Sequence, residues 1–425
     1  MPDWMNLAIL IGAGLIAISI FTSVLASRLG APLLLLFLGL GLLVGEDGLG
    51  LEFDNAPMAY FVGSVALAVI LFDSGFATRI KTLRAVAGPA MALATAGVLL
   101  TAGITAMAVH LLFDFTLVPS LLMGAIVSPT DAAAVFFLMR AGGITVRDRV
   151  RSTLEVESGT NDPMAIFLTA TLVAVLAGEA AGESLGWALV ESFALQLGIG
   201  AVFGVAGGLL IIQAVDRVEL EAGLYPLVVL GLALLLFAAT NMVGGSGFLA
   251  VYLAGLLAGN AELRPAAALQ RFQEGMTWLA QIAMFLTLGL LATPSTFGDI
   301  LLPATALGLF LVFVARPVSV WLTLLPFGFS RNETAFVAWV GLRGAVSILL
   351  AILPLLHALP RAQTMFNATF VVVLVSLVLQ GWTLSGAARR LKLLAAPKHG
   401  PLERFELVLP GAVHHELVVY HIAKG

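Results

Sequence analysis

The chain has 425 residues, 60% of them hydrophobic and only 11% charged, with no cysteine and a formal net charge of -4. Soluble domains carry about 25% charged residues, so this composition excludes an ordinary water-soluble enzyme, a disordered chain and a disulfide scaffold. Without a clustered surplus of Lys and Arg to meet phosphates, a nucleic-acid partner is excluded as well. An all-α polytopic membrane protein remains.

A membrane-spanning helix needs about 20 mainly apolar residues. In chain order, apolar runs punctuated by Gly, Pro and charge predict thirteen spans, near 5–26, 31–45, 57–77, 85–109, 117–139, 153–178, 186–213, 224–242, 246–260, 273–292, 300–325, 333–356 and 363–386. The first run lacks a basic leader and a small-residue cleavage site, so it is expected to stay as a helix and not to be removed as a signal peptide. Lys and Arg accumulate in cytoplasmic loops. With thirteen spans, 18 of the 21 basic residues fall on one side, Arg361 alone on the other, and Arg316 and Arg343 inside spans. The sparsely basic side holds Asp3, Glu46, Asp47, Glu52, Asp54, Asp114, Glu179, Glu183 and Asp299. This separation predicts an outside N-terminus and a cytoplasmic C-terminus. After Arg390, residues 405–408 and 416–420 read as short β-like runs around Pro410-Gly411. Residues 1–390 are therefore expected to form the transmembrane domain and 391–425 a cytoplasmic tail, either the start of a cytoplasmic domain continuing past Gly425 or a segment that docks elsewhere.

Ionisable groups inside a membrane cost about 2.5 to 3.5 kcal/mol each on insertion scales and are read as functional. The fifth span holds Ser128-Pro129-Thr130-Asp131, which has the chemistry of a helix start: Ser as N-cap, Pro at the first helical position and Asp in the first turn. The preceding apolar stretch is too short to cross, so the span is expected to break near mid-membrane, where backbone carbonyls and the Thr130 hydroxyl become available to a cation. In the sixth span Glu157 and Asn161 share a helix face, Asp162 lies one step round, and Ser158 sits four residues before Asp162. This is a hard-oxygen site suited to a proton or a monovalent cation at Asp162, Ser158 and Thr130. A buried charge wants a partner, and Arg343, between Gly341 and Gly344, is paired with Glu157 as structure, leaving Asp162 free as the carrier. Glu155 reads as a rim charge, Asp73 equally as a solvated helix end or a vestibule carboxylate, and Arg316, beside Pro317 at an expected helix break, has no evident partner.

The fifth and twelfth spans run in opposite directions and both carry polar or Gly-rich interruptions, the pattern of an inverted-repeat secondary transporter with its site at mid-membrane. The stretches Ser128-Pro129-Thr130-Asp131-Ala132-Ala133-Ala134-Val135, Glu157-Ser158-Gly159-Thr160-Asn161-Asp162-Pro163 and Gly341-Leu342-Arg343-Gly344-Ala345 together resemble the first cation:proton antiporter family, the NhaP-type exchangers. Within it the chain is most similar to the bacterial potassium/proton antiporters of CvrA type. The resemblance implies an NhaA-like fold of thirteen helices, with six-helix inverted repeats and unwound, crossing fifth and twelfth helices. It also implies a homodimer in the bacterial inner membrane and no cofactor beyond the transported potassium or sodium and protons. By the family pattern Asp162 is the ion and proton carboxylate, with Asn161, Ser158, Thr130 and Asp131 lining the site; Glu157 pairs with Arg343, and Asp73 stands where an acid is frequent. The extension past Gly425 would resemble nucleotide-regulated potassium-transport domains.

One carboxylate that takes either a proton or a cation makes the exchange electroneutral, because both loaded forms carry the same charge while the empty site is held back by the cost of burying its own. Two rivals carry less weight. Gly244-Gly245-Ser246-Gly247 resembles the nucleophile motif of rhomboid proteases but needs a membrane histidine as base; His110 and His357 lie near outer helix ends and the other four histidines are in the tail. A cation channel would need a repeated Gly-rich filter, and none appears.

Overall fold

The computed structural model describes residues 3–29, 33–141, 143–178, 185–221, 223–261, 263, 266–395, 402–406 and 416–420. Helices dominate: α1 (Asp3–Leu29), α2 (Leu33–Val44), α3 (Ala56–Ala77), α4 (Ile80–Ala92), α5 (Val98–Phe113), α6 (Leu117–Ile126), α7 (Ala132–Ala141), α8 (Asp148–Leu176) and α9 (Leu185–Arg217). These are followed by α10 (Leu224–Met242), α11 (Gly247–Asn260), α12 (Ala266–Leu291), α13 (Gly298–Phe310), α14 (Arg316–Leu324), α15 (Arg331–Trp339), α16 (Ala345–Leu356) and α17 (Ala362–Arg390). A short antiparallel hairpin, β1 (Leu402–Glu406) with β2 (Glu416–Tyr420), follows. Among the described residues, eight helical stretches are long and apolar enough to cross a membrane, and five shorter apolar helices accompany them. The expected Glu179 and Glu183 and the turn at Pro410-Gly411 lie outside the described residues.

Packing divides the helices into two groups. In one, α3 and α11 pack along their length, α12 covers α3 and α2, and α9 and α10 flank α11. In the other, α8 packs on α4 and α6, α13 and α16 pack on α17, and α14 joins α15. The groups meet along a thinner seam, mainly α3 against α16, α8 and α11 against each other, and α12 against α16.

Two apolar segments that read as single helices are indeed continuous, but each contains a π-helical turn. Leu93–Gly97 joins α4 to α5, and Leu311–Ala315 joins α13 to α14. Such turns insert a residue into the helical ladder and cluster at functional sites. The helix break expected at Arg316 and Pro317 is therefore absent. Pro317 lacks an N–H for the carbonyl four residues back, and the π-turn just before it has already shifted that ladder, so the helix absorbs the proline.

After α17, Lys392 adopts a left-handed conformation (φ 55°) and the chain turns back over the loop between α7 and α8. Arg147 N donates to Leu393 O at 3.1 Å and Ala395 N to Thr145 O at 2.8 Å, closing an antiparallel bridge between Val146 and Leu394. Directly opposed residues in such pairs have Cα atoms about 4.5 to 5.5 Å apart, which is disulfide range. Because the natural chain has no cysteine, the double variant Val146→Cys/Leu394→Cys is expected to form one intramolecular crosslink on mild oxidation. Mass spectrometry of a proteolytic digest reads it as a linked peptide pair, and a pair that stays reduced under oxidant contradicts this register.

Candidate ion-binding site

Two broken helices and one continuous helix build the site. The first break separates α6 from α7 between Ile126 and Ala132. It falls within the expected Ser-Pro-Thr-Asp stretch, but its capping differs. Ser128 is not the N-cap: its Oγ turns back and donates to Ala125 O at 2.7 Å. Asp131 takes the capping role, with Oδ1 accepting from Ala134 N at 3.0 Å. Pro129 disfavours a helical Ser128, so α7 starts three residues later than the motif alone suggests.

The second break separates α15 from α16 between Trp339 and Ala345. The two breaks bond to each other. Asp131 N donates to Leu342 O at 2.8 Å, and Nη1 of Arg343 donates to Pro129 O at 2.8 Å and to Ser128 O. Glycine is needed on both sides of Arg343: a Cβ on Gly344 would collide with the Asp131 carboxylate, and one on Gly341 would lie 2.8 Å from Nε of Arg316.

That neighbour corrects the expected ion pair. Glu157 is bridged by Arg316, not by Arg343: Nη2 of Arg316 lies 2.7 Å from Oε1 of Glu157, with side chains only 3% and 1% exposed. Arg343 is equally buried, but its guanidinium serves the unwound carbonyls of the first break. The π-turn at Leu311–Ala315 sets the rotational phase of α14 and so the direction in which Arg316 points. The sequence signal was an arginine inside a span; what hid its role was reading Pro317 as a stop.

On α8, which runs through Pro163 without interruption, two residues are stitched to the first break and a third, Asp162, lies beside them. Ser158 Oγ donates to Thr130 O at 2.9 Å and accepts from Ala132 N at 3.1 Å. Asn161 Nδ2 donates to Thr130 Oγ1 at 2.7 Å. Asp162 is buried, and its Oδ1, like Oδ1 of Asn161, has no hydrogen-bond partner among the described residues. The Asp131 carboxylate is near enough to act on Asp162 as a like charge. The structure thus gathers Thr130, Asp131, Ser158, Asn161 and Asp162 in one place, with Glu157 and Arg316 paired beside them.

A cavity of about 1030 Å³ reaches this cluster, lined by Asp131, Ser158 and the buried Asp162 and also by the exposed Arg79, Asp148 and Arg151. Asp73 lines the same cavity, in the vestibule position; its Oδ2 accepts from Thr277 Oγ1 of α12 at 2.8 Å. Glu155 is a rim charge held by Arg151 at 2.9 Å. Sequence reasoning missed Thr277 and Glu274, which also line the cavity; their one signal is that they lie on the polar face of α12, three residues apart. Ser246, by contrast, simply caps α11, accepting from Leu249 N at 3.3 Å.

The pattern of the transmembrane sodium/hydrogen exchangers matches residues 15–390. The chain belongs to the sodium/hydrogen exchanger family. It is 47% identical over 425 residues to the K(+)/H(+) antiporter NhaP2 of Shewanella sp. strain ANA-3, covering all of this chain and 74% of that protein. It is 46% identical over 397 residues to the K(+)/H(+) antiporter NhaP of Alkalimonas amylolytica, covering 93% of this chain and 69% of that one. In three dimensions it resembles the sodium proton antiporter MjNhaP1 of Methanocaldococcus jannaschii at pH 8, with a TM-score of 0.80 at 24% identity over 92% of this chain and 99% of that one. This exchanger therefore shares the polytopic helical fold of MjNhaP1.

Removing one partner of a buried ion pair leaves an uncompensated charge and costs about 3 to 5 kcal/mol, whereas replacing both by apolar groups costs far less. Arg316→Ala is therefore expected to lower the melting temperature of the purified exchanger sharply, and Arg316→Met/Glu157→Met to recover most of the loss. A double variant as unstable as the single one would contradict the pairing.

Proposed function

We propose that this exchanger is a monovalent cation/proton antiporter that moves potassium against protons, with Asp162 binding either one. The observation that carries this reading is a buried carboxylate, Asp162, that lines the cavity and whose Oδ1 has no hydrogen-bond partner among the described residues. Both arginines at this depth are engaged elsewhere, Arg316 on Glu157 and Arg343 on the carbonyls of Ser128 and Pro129. Among the described residues the acid is thus without a fixed counter-ion, and an empty charged carboxylate in this setting is costly. A proton or a monovalent cation relieves the cost equally, so exchange is one for one and electroneutral.

Hard oxygens for the cation are to hand: Oδ1 of Asp162, the free Oδ1 of Asn161, and the hydroxyls of Ser158 and Thr130, each of which keeps unused acceptor capacity after the bonds described. Asp131, whose Oδ1 is committed to capping α7, adds negative potential. Asp73 in the vestibule draws cations inward. Potassium is favoured because the relatives at 46 and 47% identity carry K(+)/H(+) antiporter in their names.

Alternating access follows from the two helix groups and their thin seam, with the cavity facing the basic, cytoplasmic side. The eight long apolar stretches and five shorter apolar helices support thirteen spans, two of them broken; their arrangement as inverted repeats rests on the two interrupted spans running in opposite directions. The outside N-terminus and cytoplasmic C-terminus rest on the distribution of basic residues, and the inner membrane location on the bacterial relatives. Exposed apolar side chains such as Val202, Leu209 and Leu235 suit lipid and a second copy in a homodimer. Residues beyond 390 act as a cytoplasmic tail.

In everted membrane vesicles, Asp162→Asn is expected to abolish potassium-induced proton movement while leaving expression and melting temperature close to wild type. Comparison of potassium, sodium, rubidium and lithium on the wild type sets the selectivity. Exchange that survives Asp162→Asn would overturn the reading.

A further inference from the structure

A pair of polar residues on α17 remains outside the site as described. Ser376 and Gln380 are both fully buried, four residues apart and so on one helix face, and neither is among the described residues lining the cavity. Both address the second break. Gln380 Nε2 donates to Trp339 O, the last residue of α15, at 2.7 Å. Ser376 Oγ accepts from Arg343 N at 2.9 Å and donates its own proton to Gln380 Oε1.

This chain of bonds has a forced direction. The Trp339 carbonyl can only accept, so the amide nitrogen of Gln380 must face it and the amide oxygen must face Ser376. The single Ser376 hydroxyl proton is then committed to Gln380, so toward Arg343 the hydroxyl can only accept. Two side chains thereby satisfy one orphan carbonyl at the end of α15 and one orphan N–H before α16. Helix ends leave such groups open, and no water is at hand to fill them inside a membrane.

Arg343, held at its backbone by Ser376, sends Nη1 to the carbonyls of Ser128 and Pro129, and Leu342 beside it accepts from Asp131 N. We propose that Ser376 and Gln380 are positioning residues for cation exchange: they set the backbone of the second break, and through Arg343 and Leu342 they set the first break and its Thr130 and Asp131. A helix that contributes nothing to the cavity wall would thus control the geometry of the cation site. A purely structural cap would change the amount of folded protein but not how the folded protein meets its cation.

The test rests on the reading of Asp162 given above, and uses the full chain in proteoliposomes with potassium as the probe. Apparent KM for potassium, rate at saturating potassium and pH profile are measured for the wild type, Ser376→Ala, Gln380→Met, the double variant and Ser376→Thr, with melting temperatures in parallel. The expected result is an at least threefold rise in KM and a displaced pH profile for each single variant. The double variant should be no worse than the more impaired single one, since the two act as one unit, and Ser376→Thr should stay near wild type. Single variants with wild-type KM and pH profile, or a KM effect that multiplies in the double variant, would overturn the inference. If Ser376→Ala does not fold, Ser376→Thr and Gln380→Met decide: a normal KM in Gln380→Met, or a KM in Ser376→Thr raised as far as in Gln380→Met, counts against it. A wild type that shows no potassium/proton exchange at all sinks the antiport reading, and the inference with it; a working wild type with unaffected variants sinks the inference alone.

Discussion

The structure depends on two interrupted helices completing each other where water cannot. Each break strands backbone donors and acceptors that cost several kcal/mol apiece in an apolar interior. Leu342 O takes the N–H of Asp131, and the Arg343 guanidinium takes the carbonyls of Ser128 and Pro129. Each break satisfies backbone groups that the other leaves open, so the pair behaves as one object. Its glycines follow from that closeness, since a side chain at Gly344 would occupy the space of the Asp131 carboxylate.

Around this crossing, charge is sorted by what holds it. Glu157 has its base in Arg316, and Asp131 spends an oxygen on the first turn of α7. Arg343 spends its charge on carbonyl dipoles. Asp162 lines the cavity, and its buried Oδ1 has neither a hydrogen-bond partner nor an ion pair among the described residues. The two arginines are not interchangeable. Arg316 neutralises a neighbouring carboxylate, whereas Arg343 gives a single nitrogen, Nη1, to two backbone carbonyls.

Much of this was legible in the residues. The apolar segments each coincide with a helix or a helix pair, because the bilayer imposes a length that composition reveals directly. Pro129 and Gly341 to Gly344 marked where the fifth and twelfth segments part, and the spacing of Ser158, Asn161 and Asp162 placed them together. The partner of Glu157 was not legible. Arg316 and Arg343 lie far from Glu157 in sequence, both deep, and only the phase of α14 decides between them. That phase is set by a π-turn in Leu-Val-Phe-Val-Ala, a stretch with no residue that announces one. Nor did Ser376 and Gln380 stand out, since two isolated polar residues in a long apolar helix look the same whether they face lipid, a neighbour or an orphan carbonyl.

The contrast between α8 and the helices that cross beside it bears on how such a site can move without coming apart. α8 is 29 residues long and unbroken through Pro163, and its Ser158 and Asn161 hold the first break by three hydrogen bonds. The second break is tied to the first, and α17 ties the second. Every one of these links lies within the same group of helices, whereas the seam to the other group is sparse. The cluster around Asp162 is therefore tied firmly to the helices that form it and only loosely to those that face it across the cavity. A displacement along the seam would leave every hydrogen bond of the crossing intact, whereas a hinge within α6–α7 or α15–α16 would have to unmake it.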